Sequence, residues 1–167
     1  SLAKDKRLTN ILGNIYGEKE KAFYLYLSSS IFKNGEVTDG TQWHQDIPYW
    51  KGTDNKTIVW IALDKVTREN GCMKYIPGTH HKKYDHVNAE GHGGMYRKGF
   101  IDPDQVDESE KVLLELEIGD ASFHNCRIVH GSEKNTLAKE RYALVFVYQS
   151  EKDSSHHRDG PAELIPK

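Results

Sequence analysis

Four residues at three places in this 167-residue chain have the types and order for metal chemistry. They are His44 and Asp46 within Trp43-His44-Gln45-Asp46, His130 within Val129-His130-Gly131-Ser132, and Arg141 beyond them. Two imidazoles and one carboxylate hold a divalent metal on one face and leave its other face open. That is the facial triad of non-heme Fe(II) oxygenases. An arginine beside such a centre supplies a planar, fixed cation for the carboxylate of an organic acid co-substrate. If the four converge the chain is an oxidative enzyme; if they do not, it is an anonymous β-rich domain.

Each piece is weak alone. Nine histidines and a similar number of aspartates in a chain of this length yield somewhat less than one His-x-Asp by chance. A second one is indeed present, His157-Arg158-Asp159. Position favours the first. In a strand, residues i and i+2 share a face, and Pro48 biases Ile47 away from helix, so an extended 44–46 would aim both side chains at one ion. The second pair sits in a polar tail with no later histidine to complete a triad. The distal histidine is less decided. His124 and His130 both fall in the strand-like stretch 121–131, and six residues of continuous strand would put both on one face. The Gly131-Ser132 turn and a hairpin to the strand that Arg141 opens favour His130 modestly. Arg141 directly precedes the apolar run Tyr142–Tyr148, where a lone cation needs a partner; the plainer reading is a surface ion pair. Ser132 offers a hydroxyl to the same carboxylate. Trp50, close behind the metal pair in a turn-rich segment, is the best candidate for a substrate wall, although Trp43, Tyr49, Trp50 and Trp60 serve equally well as core aromatics.

The elements that must position these residues are mostly strands. Leu8, Ile11, Leu12 and Ile15 make one apolar face of a helix over 4–16, and Gly17 follows as a stop. Strands are expected at 22–32, 56–66, 73–76, 112–118, 121–131 and 141–150, with turns at Glu69-Asn70-Gly71, Pro77-Gly78 and Gly119-Asp120. Residues 80–110 carry His80, His81, His86, His92, Arg97 and a glycine cluster without periodicity. They read as one long loop, either a lid or a solvated excursion. Short strands with one helix and no βαβ alternation predict a mainly β sandwich or barrel.

Composition narrows the classes. One domain over residues 1–167 is the expectation. A formal net charge of -2 from 23 basic and 25 acidic residues leaves no basic stripe for nucleic acid. The apolar runs are too short to span a bilayer, and no basic-then-apolar leader pattern is present. Two cysteines outside any CxxC make no disulfide framework, which favours a reducing, cytoplasmic setting. Lys74, Lys82, Lys83 and Arg97 are more simply solvated than gathered for an acidic substrate.

Ordered together, Trp-His-Gln-Asp-Ile-Pro-Tyr-Trp (43–50), Glu-Asn-Gly-Cys-Met-Lys-Tyr-Ile-Pro-Gly-Thr-His (69–80), Gly-Asp-Ala-Ser-Phe-His (119–124) and Val-His-Gly-Ser (129–132) with Arg141 resemble the phytanoyl-CoA dioxygenase family. These are Fe(II)- and 2-oxoglutarate-dependent oxygenases, and the resemblance runs from about residue 40 to about residue 150. It implies a double-stranded β-helix, or jelly roll, with a few flanking helices. It implies iron on His44, Asp46 and His130, which settles His130 over His124. Arg141 and Ser132 would take the distal carboxylate of 2-oxoglutarate, Trp60 would line that pocket, and Tyr49 and Trp50 would shape the substrate site. O2 would be the second co-substrate. Asp46 also disfavours halogenation, because related halogenases lack that carboxylate. Relatives of this kind carry a longer region ahead of the His-x-Asp than the 43 residues here, so a trimmed and a compact member both remain open.

The resulting expectation is a dioxygenase that hydroxylates a small molecule, releasing succinate and CO2. The alternative is a non-catalytic jelly-roll module that binds a metal or ligand. Arg141 discriminates, since a lectin or zinc hydrolase has no need of a cation beside its metal.

Overall fold

The computed structural model describes residues 1–17, 22–35, 39–50, 52–87, 99–153 and 163–166. Two antiparallel sheets face each other. The larger has the order β11-β1-β10-β3-β8 and the smaller β2-β9-β4-β7, with a separate ribbon of β5 and β6. The strands are β1 (Ala22–Lys33), β2 (Thr41–His44), β3 (Lys56–Ala62), β4 (Met73–Ile76), β5 (His86–Val87), β6 (Phe100–Ile101), β7 (Val112–Leu114), β8 (Ala121–Asn125), β9 (Val129–Ser132), β10 (Arg141–Ser150) and β11 (Glu163–Pro166).

The pairing is nested. β1 pairs β10, β2 pairs β9, β3 pairs β8 and β4 pairs β7, all antiparallel. Alternate pairs fall in opposite sheets, and the sheets are completed by β10·β3 and β9·β4. The chain is thus one long double strand rolled up on itself, the jelly-roll architecture that the resemblance implies.

The apolar run of β3 follows from this arrangement. All seven of its residues are buried, because the strand is central in its sheet and covered on both faces. Ile58, Trp60 and Ala62 point between the sheets with Ala143, Val145 and Val147 of β10. Val59 and Ile61 point the other way, under helix α1 (Lys6–Tyr16), with Phe146 and Tyr148. Asp5 caps the helix by accepting the Arg7 N–H at 2.9 Å. The Tyr16 hydroxyl donates to the Tyr148 carbonyl at 2.9 Å and accepts the Thr57 N–H at 3.0 Å, tying the helix to the sheet.

Several expectations need correction. The buried helix face is Leu8, Thr9, Leu12 and Gly13, whereas Ile11 and Ile15 are 42% and 49% exposed. The small residues Thr9 and Gly13 let the helix settle close to the sheet, and the two isoleucines are rotated out. The stretch 121–131 is two strands in different sheets, β8 and β9, separated by a turn in which the Ile128 N–H donates to the Asn125 carbonyl. β9 and β10 are likewise in different sheets, so no hairpin joins His130 to Arg141; the strand partner of Arg141 is Lys33. β3 ends at Ala62, and Val66 pairs only with Leu116 as an isolated bridge. The stretch 80–110 is not one structureless loop. Its described parts include helical turns at Thr79–His81, Pro103–Gln105 and Glu108–Glu110 and the β5–β6 ribbon. His92, Arg97 and the glycine cluster lie outside the described residues, and the lid reading with them.

The rotated helix face gives a direct test. Leu12→Ala should lower unfolding free energy by about 2–4 kcal/mol, while Ile15→Ala should change it by less than about 0.5 kcal/mol, measured by urea denaturation. Equal losses would contradict the packing described.

Candidate metal centre

The two histidines of the proposed centre meet across one strand pair. His44, the last residue of β2, lies opposite His130 on β9. Between Thr41↔Ser132 and His44↔His130 the register slips, so three steps on β2 match two on β9. The bulge brings the backbones close at Gly131, where an added Cβ would stand 2.5 Å from the Thr41 carbonyl oxygen. Glycine is therefore required between the histidine and Ser132.

Asp46 is placed differently from its expectation. β2 stops at His44, and Asp46 takes a helical conformation (φ -78°, ψ -17°) at the start of the turn Ile47–Tyr49. Its N–H donates to the Cys126 carbonyl at 2.9 Å, which fixes it against the β8–β9 turn. The carboxylate nonetheless reaches both imidazoles. His44 Nε2 lies 3.7 Å from Asp46 Oδ1, and His130 Nε2 lies 3.8 Å from Asp46 Oδ2. One ligand atom from each residue falls within 4.8 Å of the others.

The tautomers follow from the hydrogen bonds. His44 Nδ1 is 2.8 Å from the Gln42 carbonyl and His130 Nδ1 is 3.0 Å from the Ile128 carbonyl. A carbonyl only accepts, so each Nδ1 carries the proton and each Nε2 presents a lone pair to the common centre, the form a metal requires. Burial, then the neighbouring His130, pushes His44 down to about 4, with Asp46 opposing; burial pushes His130 down to about 4. Burial also lifts Asp46 to about 6, against the pull of His44.

His124 is close by but apart. Its ring centre is 5.1 Å from that of His130, yet its Nδ1 meets the Tyr75 hydroxyl at 3.2 Å, and it is not one of the three residues whose ligand atoms converge. The pair His157 and Asp159 lies outside the described residues.

Arg141 enters the barrel from β10 and is 1% exposed. Its guanidinium lies over the Trp60 ring, 5.0 Å from the ring centre. Nη2 donates to the Gly71 carbonyl at 2.6 Å, while Nε and Nη1 are buried without a hydrogen-bond partner. Its strand partner Lys33 is also buried, with Nζ donating to the Glu133 carbonyl at 2.6 Å and the Asp39 carbonyl at 3.3 Å. Burial and the adjacent Arg141 push Lys33 down to about 8. Among the described residues no carboxylate lies within ion-pair distance of either cation. Two buried cations side by side with free N–H groups are costly unless an anion completes them.

The other candidates sit as follows. Ser132 is 2% exposed, and its Oγ accepts the Thr41 N–H at 3.2 Å. Tyr49 stands edge-on to His44 with ring centres 6.0 Å apart, its hydroxyl donating to the Gly99 carbonyl at 2.8 Å. Trp50 packs on Tyr26 at 6.1 Å and against the inter-sheet core. Lys74 lies over Trp43 and Lys82 over Tyr84, so these two do not share an anion site; Arg97 lies outside the described residues.

Gln45 and His86 escaped the sequence reading. Gln45 is fully buried between the two ligands of the His-x-Asp. Its side-chain amide donates to the Lys82 carbonyl at 2.7 Å and to the Arg127 carbonyl, and its Oε1 accepts the Tyr84 N–H at 3.0 Å. Its own N–H donates to His86 Nε2 at 3.1 Å. One glutamine thus fastens β2 to the segment before β5 and to the β8–β9 turn. No composition or period marks it; its place between two candidate ligands was the only available sign.

The pattern of the phytanoyl-CoA dioxygenase (PhyH) family matches residues 1–143. The chain belongs to that family. Family members depend on Fe(II) and 2-oxoglutarate, and His44, Asp46 and His130 have the chemistry and convergence of its iron site. A probable phytanoyl-CoA dioxygenase of Caenorhabditis elegans is 30% identical over 71% of the chain and 39% of its own length. A probable alpha-ketoglutarate-dependent hypophosphite dioxygenase of Stutzerimonas stutzeri is 30% identical over 87% of the chain and 51% of its own length. The chain thus spans about half or less of these curated relatives. Among solved structures, the non-heme monooxygenase ThoJ superposes with a TM-score of 0.80 at 21% identity, over 99% of this chain and 60% of that one, a likeness of fold. EvdO2 from Micromonospora carbonacea var. aurantiaca, in complex with 2-oxoglutarate, gives 0.72 at 28% identity over 93% and 62%. Other similar structures are those of the non-heme alpha ketoglutarate dependent epimerase SnoN and carbocyclase SnoK.

Metal binding should titrate with Asp46. Both imidazoles are neutral above about pH 4, so at pH 7 a metal displaces no proton, and below about pH 6 it competes for one on Asp46. Affinity for Co(II), measured by calorimetry, should be flat above pH 7 and fall about tenfold per pH unit beneath 6. A dependence centred near 6.5 with two protons would contradict the buried neutral histidines.

Proposed function

We propose that this chain is the catalytic core of an Fe(II)- and 2-oxoglutarate-dependent dioxygenase that hydroxylates a small molecule. The observation that carries the reading is Arg141: a buried guanidinium with two unbonded N–H groups, on an aromatic floor, in the same barrel interior as the His-Asp-His cluster. A non-catalytic metal-binding module leaves that guanidinium without a purpose. A dicarboxylic co-substrate completes it, because a carboxylate brings to the buried guanidinium both the missing counter-charge and acceptors for its N–H groups.

In this reading His44, Asp46 and His130 hold iron, which when loaded supplies the activation of oxygen. Arg141 takes the distal carboxylate of 2-oxoglutarate, with Ser132 as a hydroxyl partner and Trp60 as the surface beneath. The backbone bonds to the two Nδ1 groups hold the imidazoles in the ligating tautomer. Tyr49, beside His44, and Trp50, beyond it, form the wall against which a substrate is oriented. Succinate and CO2 are the co-products. Relatives titled as epimerase and carbocyclase support the co-substrate more firmly than the hydroxylation. Two free buried thiols, Cys72 and Cys126, suit a reducing compartment such as the cytoplasm. No helix among the described residues is long and apolar enough to cross a membrane.

The test is succinate release from 2-oxoglutarate with added Fe(II). Asp46→Ala should abolish it. Arg141→Lys should raise the KM for 2-oxoglutarate by about 10- to 100-fold, because a point charge replaces a fork. Equal turnover by wild type and Asp46→Ala would remove the iron triad from the account.

A further inference from the structure

A group of buried polar side chains beside the metal centre has no role in the assignment above. Tyr75 of β4 crosses from the smaller sheet to the larger. It is the strand partner of His130, its ring stacks 6.1 Å from that of His130, and it is 9% exposed. Its hydroxyl meets His124 Nδ1 at 3.2 Å and has Ser122 as its other polar neighbour. Ser122 and His124 alternate on β8 and so share the inward face. The Ser122 Oγ is buried and makes no well-formed hydrogen bond.

The register locates this group. Ser122 is the cross-strand partner of Trp60, and the Trp60 ring carries the Arg141 guanidinium. Hence three buried, unsatisfied donors flank a single indole: Ser122 Oγ, Arg141 Nε and Arg141 Nη1. Buried polar atoms are normally paired, so three of them around one ring mark a place built for a ligand rich in acceptors. Tyr75 adds a hydroxyl to that place from the opposite sheet.

We infer that Ser122 and Tyr75 hold the distal carboxylate of the oxo-acid co-substrate together with Arg141 and Ser132, completing an anion seat on Trp60. This rests on the function proposed above. In the seat Arg141 supplies the charge and a two-pronged contact. The hydroxyls of Ser122 and Tyr75 donate from the sides; with its proton on Nδ1, His124 donates to the Tyr75 oxygen and leaves the single Tyr75 proton for the carboxylate.

The experiment is an anaerobic titration of the Fe(II)-loaded protein, following the visible absorption that appears when a 2-oxo acid binds. It is run with 2-oxoglutarate and with pyruvate, which has the oxo acid but no second carboxylate. Ser122→Ala and Tyr75→Phe should each weaken 2-oxoglutarate by about 10-fold, the loss of one hydrogen bond to a charged group. Both should leave pyruvate affinity and the melting temperature unchanged. Unchanged 2-oxoglutarate affinity in both variants overturns the assignment. So does an equal loss for both acids, which would put the hydroxyls at the metal end. If Tyr75→Phe fails to fold, Ser122→Ala alone decides the question. Absence of any 2-oxoglutarate signal in wild type instead overturns the co-substrate reading itself, and this seat with it.

Discussion

The arrangement of the site depends on one cross-strand pairing, that of His44 with His130 at the bulge between β2 and β9. Without the register slip the two imidazoles would not stand opposite each other, with ring centres 4.2 Å apart. The slip in turn needs Gly131, because the Thr41 carbonyl occupies the space of a side chain. Asp46 then closes the triangle from a turn rather than a strand, anchored through the backbone of Cys126. Every ligand is therefore held by main-chain contacts, with side-chain rotamers adding only the last adjustment. This suits a centre that must keep its geometry while one face stays open.

Around that pairing the barrel interior sorts by charge. The metal end carries two neutral imidazoles and one carboxylate reluctant to ionise; the far end carries Arg141 and Lys33, whose hydrogen bonds among the described residues go to carbonyls. Neither end is comfortable alone, since each leaves polar groups buried and short of counter-charge. A divalent cation at one end and a dianion reaching to the other would relieve both. The fold thus spends stability on an interior that only its ligands can balance.

Much of this was legible in the residues. The strands at 73–76 and 141–150 are legible to the residue, and the helix and β1 within one or two. Their signals were strong: sustained apolar period and flanking glycine or proline. His44, Asp46, His130 and Arg141 were legible as a set because their types are uncommon together. The reasons offered for their convergence were partly wrong. Asp46 is not extended, 121–131 is not one strand, and no hairpin brings Arg141 to His130. What hid the true arrangement is the crossing of the chain between sheets at Cys126–Ile128, a turn without glycine or proline whose hydrogen bonds come partly from Asn125. Gln45, Tyr75 and Ser122 were illegible for another reason: their meaning lies in partners far away in sequence.

The nested pairing also has a kinetic consequence. β1 and β10 are joined through residues more than a hundred positions apart, as with Lys33 and Arg141, and each inner pair closes a shorter loop. Chains dominated by such distant pairings fold slowly, because loop entropy is lost before contacts repay it. The innermost pair, β4 with β7, is the natural place for the roll to begin. His44 and His130 join only when β2 finds β9, one layer inside the outermost pair, and Arg141 only when β10 finds β1. The residues proposed for metal and co-substrate are thus among the last to come together during folding. A chain that stalls part-way lacks the triangle of His44, Asp46 and His130, so on the proposed reading a redox-active ion is held only by protein that has finished rolling up.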